Sequence, residues 1–207
     1  MHKHITQEDV KDRLAACMGF SPAKLKPQEV FDAVLKGFIL FDRSFMSFDR
    51  PLTERSKLSG DDVRAALKDM GLFGRQGVLK ENFPAPLVAS ACKEILCNNN
   101  NIAEVISKFY PIWGGRVVAW KSFAFLLPDK VPLLDRLVVS LYVYTKDPKA
   151  PDFELAFKAL MEDYNDEKLS WRSAMESLHE SLGDNIKQRL TPLRIFDIIL
   201  WTYAKHQ

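Results

Sequence analysis

Apolar residues recur at spacings of three and four along almost the whole chain, and proline, glycine and small polar residues interrupt them at short intervals. That pattern predicts a succession of short helices with their own start and stop signals. Thr6 with Asp9 forms a capping arrangement ahead of Val10, Leu14 and Cys17, and Gly19 ends that helix. Pro27 suits the first turn of a second helix, whose apolar side is Val30, Phe31, Val34, Leu35 and Phe38. Ser59 caps a third, from Val63 to Met70, which Gly71 stops, and a fourth begins near Pro84 or Pro86. Ile102, Val105, Ile106 and Phe109 mark a fifth, ended by Pro111. Two more are divided by Pro128 and Pro132, and the Pro/Lys segment TKDPKAP leads to helices near 153–163, 170–182 and 192–205. Alternating strand patterns are nearly missing, so the expected fold is all-α: an orthogonal array of about nine or ten short helices. Two lobes around a groove are expected, with crossing points at 71–86 and 145–152.

A chain of 207 residues suits one domain, spanning 1–207, with enough length to bury a proper core. The net charge of +2 names no partner, because a nucleic-acid binder can keep its positive charge local. Cys17, Cys92 and Cys97 give neither an even disulfide framework nor a zinc spacing, and read as reduced core thiols of a cytosolic protein. The start, MHKHITQEDV, has no apolar signal core, and no run reaches the ~18 apolar residues of a membrane span. A soluble, cytoplasmic location is expected. His2, His4, His179 and His206 are scattered without a metal-ligand spacing, and no Walker-type or dinucleotide glycine loop is present. Neither a metal nor a cofactor is expected.

Against this background one residue is out of place. In VVAWKSFAFLLPDKVPLLDRLVVSL, Lys121 shares its helix face with Val117, Val118, Ala124 and Phe125. A helix apolar on nearly all sides is usually buried, and a buried lysine is costly unless paired or neutral. Desolvation lowers a lysine's pKa and makes the amine a nucleophile; the structural alternative is a stem that snorkels to the surface. Fourteen residues on, Asp135 falls at or near the start of the next helix, because Pro132 disfavours helix for Val131. Helix capping alone accounts for an aspartate there. A carboxylate held near an amine could also steady the positive charge that develops on a sugar as its base leaves, while the amine forms a Schiff base.

The lysine helix followed by a P-x-x-D helix start resembles the helix-hairpin-helix superfamily of DNA base-excision glycosylases, in particular the 8-oxoguanine glycosylases. The segment LCNNNNIAEVI, with Asn99, Asn100, Asn101, Ile102 and Ala103, is similar to the same family's N-N-N-I-A helix opening. The resemblance covers roughly residues 90–145. It implies that Lys121 is the nucleophile for base release and strand nicking and that Asp135 stabilises the transition state. It also implies that Asn99 fills the gap left by the flipped nucleotide, with Asn100 and Asn101 beside it, where a short polar side chain offsets part of the unstacking cost. The asparagine run reads equally as a turn and helix cap. Gly114 and Gly115 would stand for the hairpin, six residues before Lys121 rather than two, exposing N–H groups to a phosphate with Arg116 adding charge. The implied partner is duplex DNA carrying a damaged base, and the implied substrate an oxidised purine.

In the C-terminal helix, Arg194, Asp197 and Trp201 share one side. Such aromatics are mostly core; the other reading makes Trp201 or Phe196 a wall of the base pocket. Two rivals keep part of this picture: a catalytically silent DNA-binding relative working in a larger assembly, and a helical protein-interaction module whose Lys121 snorkels.

Overall fold

A computed structural model describes residues 4–41, 57–69, 83–98, 101–143 and 152–207. Among them every regular element is helical: eleven α-helices and one 3-10 turn, Pro22–Lys24. In chain order these are α1 (Gln7–Cys17), α2 (Pro27–Phe41), α3 (Gly60–Asp69), α4 (Ala85–Cys97), α5 (Ile102–Ser107), α6 (Arg116–Leu126), α7 (Arg136–Tyr142), α8 (Phe153–Asn165), α9 (Trp171–Glu180), α10 (Asp184–Lys187) and α11 (Pro192–Lys205). The helix that periodicity does not predict is α10, a single turn of four residues, too short to show a repeat.

The start signals act locally as expected. Thr6 Oγ1 accepts from the Asp9 amide at 3.1 Å, and Ser59 Oγ from the Asp62 amide at 3.2 Å, with Asp62 returning a bond to the Ser59 amide in a capping box. Thr191 Oγ1 accepts from the Arg194 amide at 3.1 Å, just before Pro192. Gly19, at φ +78°, takes the left-handed conformation that ends α1.

The helices pack in two sets. In the first, α11 touches α1, α2, α7 and α9, with α8 closing against α7 and α9. In the second, α3 packs on α4 and α6, and α5 on α4 and α6. One continuous core of buried residues runs through both. Trp120 of α6 reaches from the second set to Phe153 and Phe157 of α8, at ring separations of 6.5 and 5.2 Å. Within the second set Trp113 stacks on Phe83 and meets Phe109 and Phe123 at 5.3–5.7 Å.

Of the cysteines, all free, only Cys92 is a core thiol; Cys17 and Cys97 are exposed because each ends its helix on the solvent side. No helix among the described residues is long and apolar enough to cross a membrane, and no group of three or more His, Cys, Asp and Glu there could hold a metal ion. Most of the expected crossing points at 71–86 and 145–152 lies outside the described residues, as do Met70 and Gly71.

Candidate functional site: the corner between Lys121 and Asp135

Helix α6 is apolar on nearly every side, yet it is not equally buried on every side. Ala119, Trp120, Ser122, Phe123, Ala124 and Leu126 are buried, whereas Val117, Val118, Lys121 and Phe125 are half-buried. Lys121 therefore does not lie in the core, as the helix's composition predicts. It stands in a partly exposed apolar stripe, on the side of α6 turned away from Trp120 and Phe123, and has no hydrogen-bond or ion-pair partner among the described residues.

The chain from Leu127 to Leu134 forms a tight corner, buried apart from Asp129 and Lys130, with Leu127, Val131 and Leu134 wholly out of contact with water. The amides of Lys130 and Val131 both donate to the Leu127 carbonyl, at 3.0 and 2.8 Å. Pro132 keeps the chain extended up to Asp135, which is the N-cap of α7 at φ −116°, ψ 179°. Its Oδ1 accepts from the Val138 amide at 3.0 Å, the local role the sequence predicts. Its Oδ2 accepts from the indole Nε1 of Trp201 at 3.0 Å. No ion pair joins Asp135 to Lys121.

Three residues of α11 and its N-cap, Thr191, stitch this corner together. Thr191 Oγ1 donates to the Pro128 carbonyl at 2.7 Å, and Arg194 Nη2 to the Ala124 carbonyl at 2.9 Å. Asp197 Oδ2 accepts from the Leu133 amide at 2.8 Å and from Arg194 Nη1 at 3.1 Å. Trp201 completes the row with its bond to Asp135. The spacings 191, 194, 197 and 201 fall on one helical face. Arg194 also lies 5.4 Å above the ring of Phe125, the neighbour of Lys121 on the half-buried stripe. Burial pushes the Asp197 carboxyl up to about 7, against the pull of the Arg194 guanidinium and the Leu133 amide, and its Oδ1 has no partner among the described residues.

The remaining predicted residues sit as follows. Gly115 is the N-cap of α6 and offers no side-chain cap, but its own N–H donates to the Tyr110 carbonyl at 3.1 Å, so that amide is not open to a phosphate as expected. The Tyr110 carbonyl takes it because residues 106–115 wind as consecutive turns, with Gly114 at φ +66° closing the last one. Arg116, exposed at the head of α6, lies 5.7 Å over the Tyr110 ring. That ring is fixed in turn: Tyr110 Oη donates to Glu154 Oε1 at 2.7 Å and accepts from Trp120 Nε1 at 2.9 Å. Asn101 is exposed at the N-cap of α5 without a capping bond, and Asn99 and Asn100 lie outside the described residues.

Phe196 is a core ring, fully buried against Tyr164 and Trp171 at 5.2 and 4.9 Å, so it cannot wall a base pocket without the core opening. Trp201 is half-buried, but Lys205 lies 5.1 Å over its ring, Phe38 meets it at 6.4 Å, and its N–H belongs to Asp135. Periodicity puts Arg194, Asp197 and Trp201 on one side of α11 but does not show which parts of the corner they hold, because Leu133, Ala124 and Asp135 are 64 or more residues away along the chain.

Compared with protein-family models, curated proteins and solved structures, the chain matches none.

Proposed function

We propose that this protein binds duplex DNA and removes a damaged base, an oxidised purine, with Lys121 as the nucleophile and Asp135 as the charge-stabilising carboxylate. The reading rests on one observation: Lys121 carries an amine without a partner among the described residues, on a half-exposed apolar stripe, one braced corner away from a carboxylate at a helix N-terminus. A surface lysine is ordinarily surrounded by polar neighbours. Here Val117, Val118 and Phe125 give the amine an apolar surrounding that a ligand would seal from water.

In the proposed reaction the lone pair of the Lys121 amine attacks the anomeric carbon of the damaged nucleotide, the base departs with the bonding pair, and the proton shed by the attacking nitrogen passes through water to the departing base. The Asp135 carboxylate stabilises the positive charge that builds on the sugar. Ring opening then yields a Schiff base to Lys121, from which strand nicking follows. Arg116 and the head of α6 supply phosphate contacts. Asn101, exposed at the head of α5, contacts the opened duplex together with Asn99 and Asn100.

A second reading has its own support: both oxygens of Asp135 are already engaged and Lys121 does not pair with it, as suits a DNA-binding relative without chemistry. Sodium borohydride separates the two. It reduces a Schiff base to a stable amine, so incubation with 8-oxoguanine duplex and borohydride yields a covalent protein–DNA band only in the enzymatic case. Binding of the duplex without a band leaves the silent relative. Absence of salt-dependent duplex binding removes both.

A further inference from the structure

We propose that Trp201 is a positioning residue for Asp135, holding its carboxylate aimed, and not a surface on which a base stacks. This rests on the catalytic role proposed above for Asp135. An indole N–H is a donor only, so in the 3.0 Å bond Oδ2 is held as the acceptor. Oδ1 is committed to the Val138 amide, and together the two bonds fix the carboxylate plane. Each oxygen keeps a further lone pair, so the doubly held carboxylate can still face a developing cation.

Trp201 can hold that position because it is itself held. Lys205 covers its ring and Phe38 abuts it, while α11 is pinned to the same corner at Pro128, Ala124 and Leu133 through Thr191, Arg194 and Asp197. The row of bonds follows the connection from the helix of Lys121 to Asp135 along its length. A shift of α11 would therefore carry the indole away from the carboxylate while loosening the far end of α6, three residues after Lys121. The geometry makes α11 a splint between the two proposed catalytic groups, with Trp201 as its contact on the acidic one.

The test pairs a spectroscopic readout with a kinetic one. In the ¹H–¹⁵N spectrum of the full chain, the indole resonance of Trp201, assigned as the one lost in Trp201→Phe, is expected to exchange slowly with solvent, as a hydrogen-bonded N–H does. In Asp135→Ala that protection is expected to fall. A Trp201 indole N–H equally protected in both proteins overturns the proposal. In borohydride trapping on 8-oxoguanine duplex, Trp201→Phe is expected to slow adduct formation by roughly 10–100-fold, the effect of losing one hydrogen bond to a charged group. The loss falls on the rate at saturating duplex while the half-saturating duplex concentration stays as in the wild type, a split that a merely structural role would not produce. An unchanged rate overturns the positioning role. If the wild-type protein forms no adduct, the reaction proposed above fails, and the indole exchange still decides whether Trp201 holds the carboxylate.

Discussion

Arg194 and Asp197 lie one turn apart on α11, both shut off from water, and meet at 3.1 Å through Oδ2, the same oxygen that takes the Leu133 amide. Removing one member of such a pair leaves a buried charge uncompensated, which costs about 3–5 kcal/mol. Asp197→Ala is therefore expected to destabilise the fold by that amount in urea unfolding. Arg194→Met with Asp197→Leu together should cost much less, because no charge is stranded. The pair also sets a pH dependence. Burial raises the Asp197 carboxyl to about 7, well above the ordinary carboxylate value, so the native state keeps a proton that the unfolded chain has released. This contribution to stability is full below the ordinary value and is lost as pH rises through about 7. Unfolding curves from pH 4 to 8 should show it in the wild type and lose it in Asp197→Asn.

At the other end of the chain, His4 Nδ1 meets Asp163 Oδ1 at 2.6 Å, and the Ile5 amide donates to Oδ2 at 2.9 Å. Asp163 is wholly buried while the His4 side chain is 54 % exposed. Trp171 Nε1 donates to the Ile5 carbonyl at 2.8 Å, so this short segment is tied to both α8 and α9. The bond to Asp163 holds His4 above the ordinary histidine value, with lesser help from Asp166 and Glu162 and opposition from desolvation. The sign follows: a raised histidine stabilises fully below its unfolded value, and that stabilisation disappears as pH climbs through the folded one. The difference in melting temperature between the wild type and His4→Gln should be largest near pH 6 and shrink by pH 9. A difference that grows with pH would contradict the contact.

Trp113 separates packing from polarity. Its ring is buried among Phe83, Phe109 and Phe123, while its Nε1 has no hydrogen-bond partner among the described residues. Trp113→Ala should cost about 3–5 kcal/mol through the cavity it opens. Trp113→Phe should cost far less, under about 1.5 kcal/mol, because the smaller ring also removes an unsatisfied donor. Chemical denaturation of the two variants checks the contrast.

Asp135 bears two roles that one substitution can split. Asparagine caps a helix about as well as aspartate but turns its NH2 towards the Trp201 indole N–H in place of an acceptor, so Asp135→Asn should cost about 1–3 kcal/mol, the effect of one unsatisfied donor, and leave the protein folded. It cannot offer a negative charge to a developing cation, so adduct formation should fall steeply. Loss of stability and activity in step would mean that capping is the whole of its role.

What the sequence discloses about this molecule is local. Thr6, Ser59, Asp135 and Thr191 cap the helices that follow them, and the prolines at 128 and 132 divide α6 from α7, because these effects act within one turn of the residue responsible. The surroundings of Lys121 are not legible in the same way, because periodicity reports which residues share a face and not how deeply that face is covered. Val117, Val118 and Phe125 do accompany Lys121, yet the helix turns Trp120 and Phe123 inward and leaves this stripe half outside. The splint along α11 and the His4 contact join residues 63 to 159 positions apart, and no spacing rule reaches that far.

The most direct measurement is peptide mapping of a borohydride-reduced adduct formed on 8-oxoguanine duplex. The account predicts a single modified peptide with the added mass on Lys121, and no adduct from Lys121→Gln although that variant still binds the duplex. An adduct mapped to any other lysine, or an equal yield from Lys121→Gln, would contradict it.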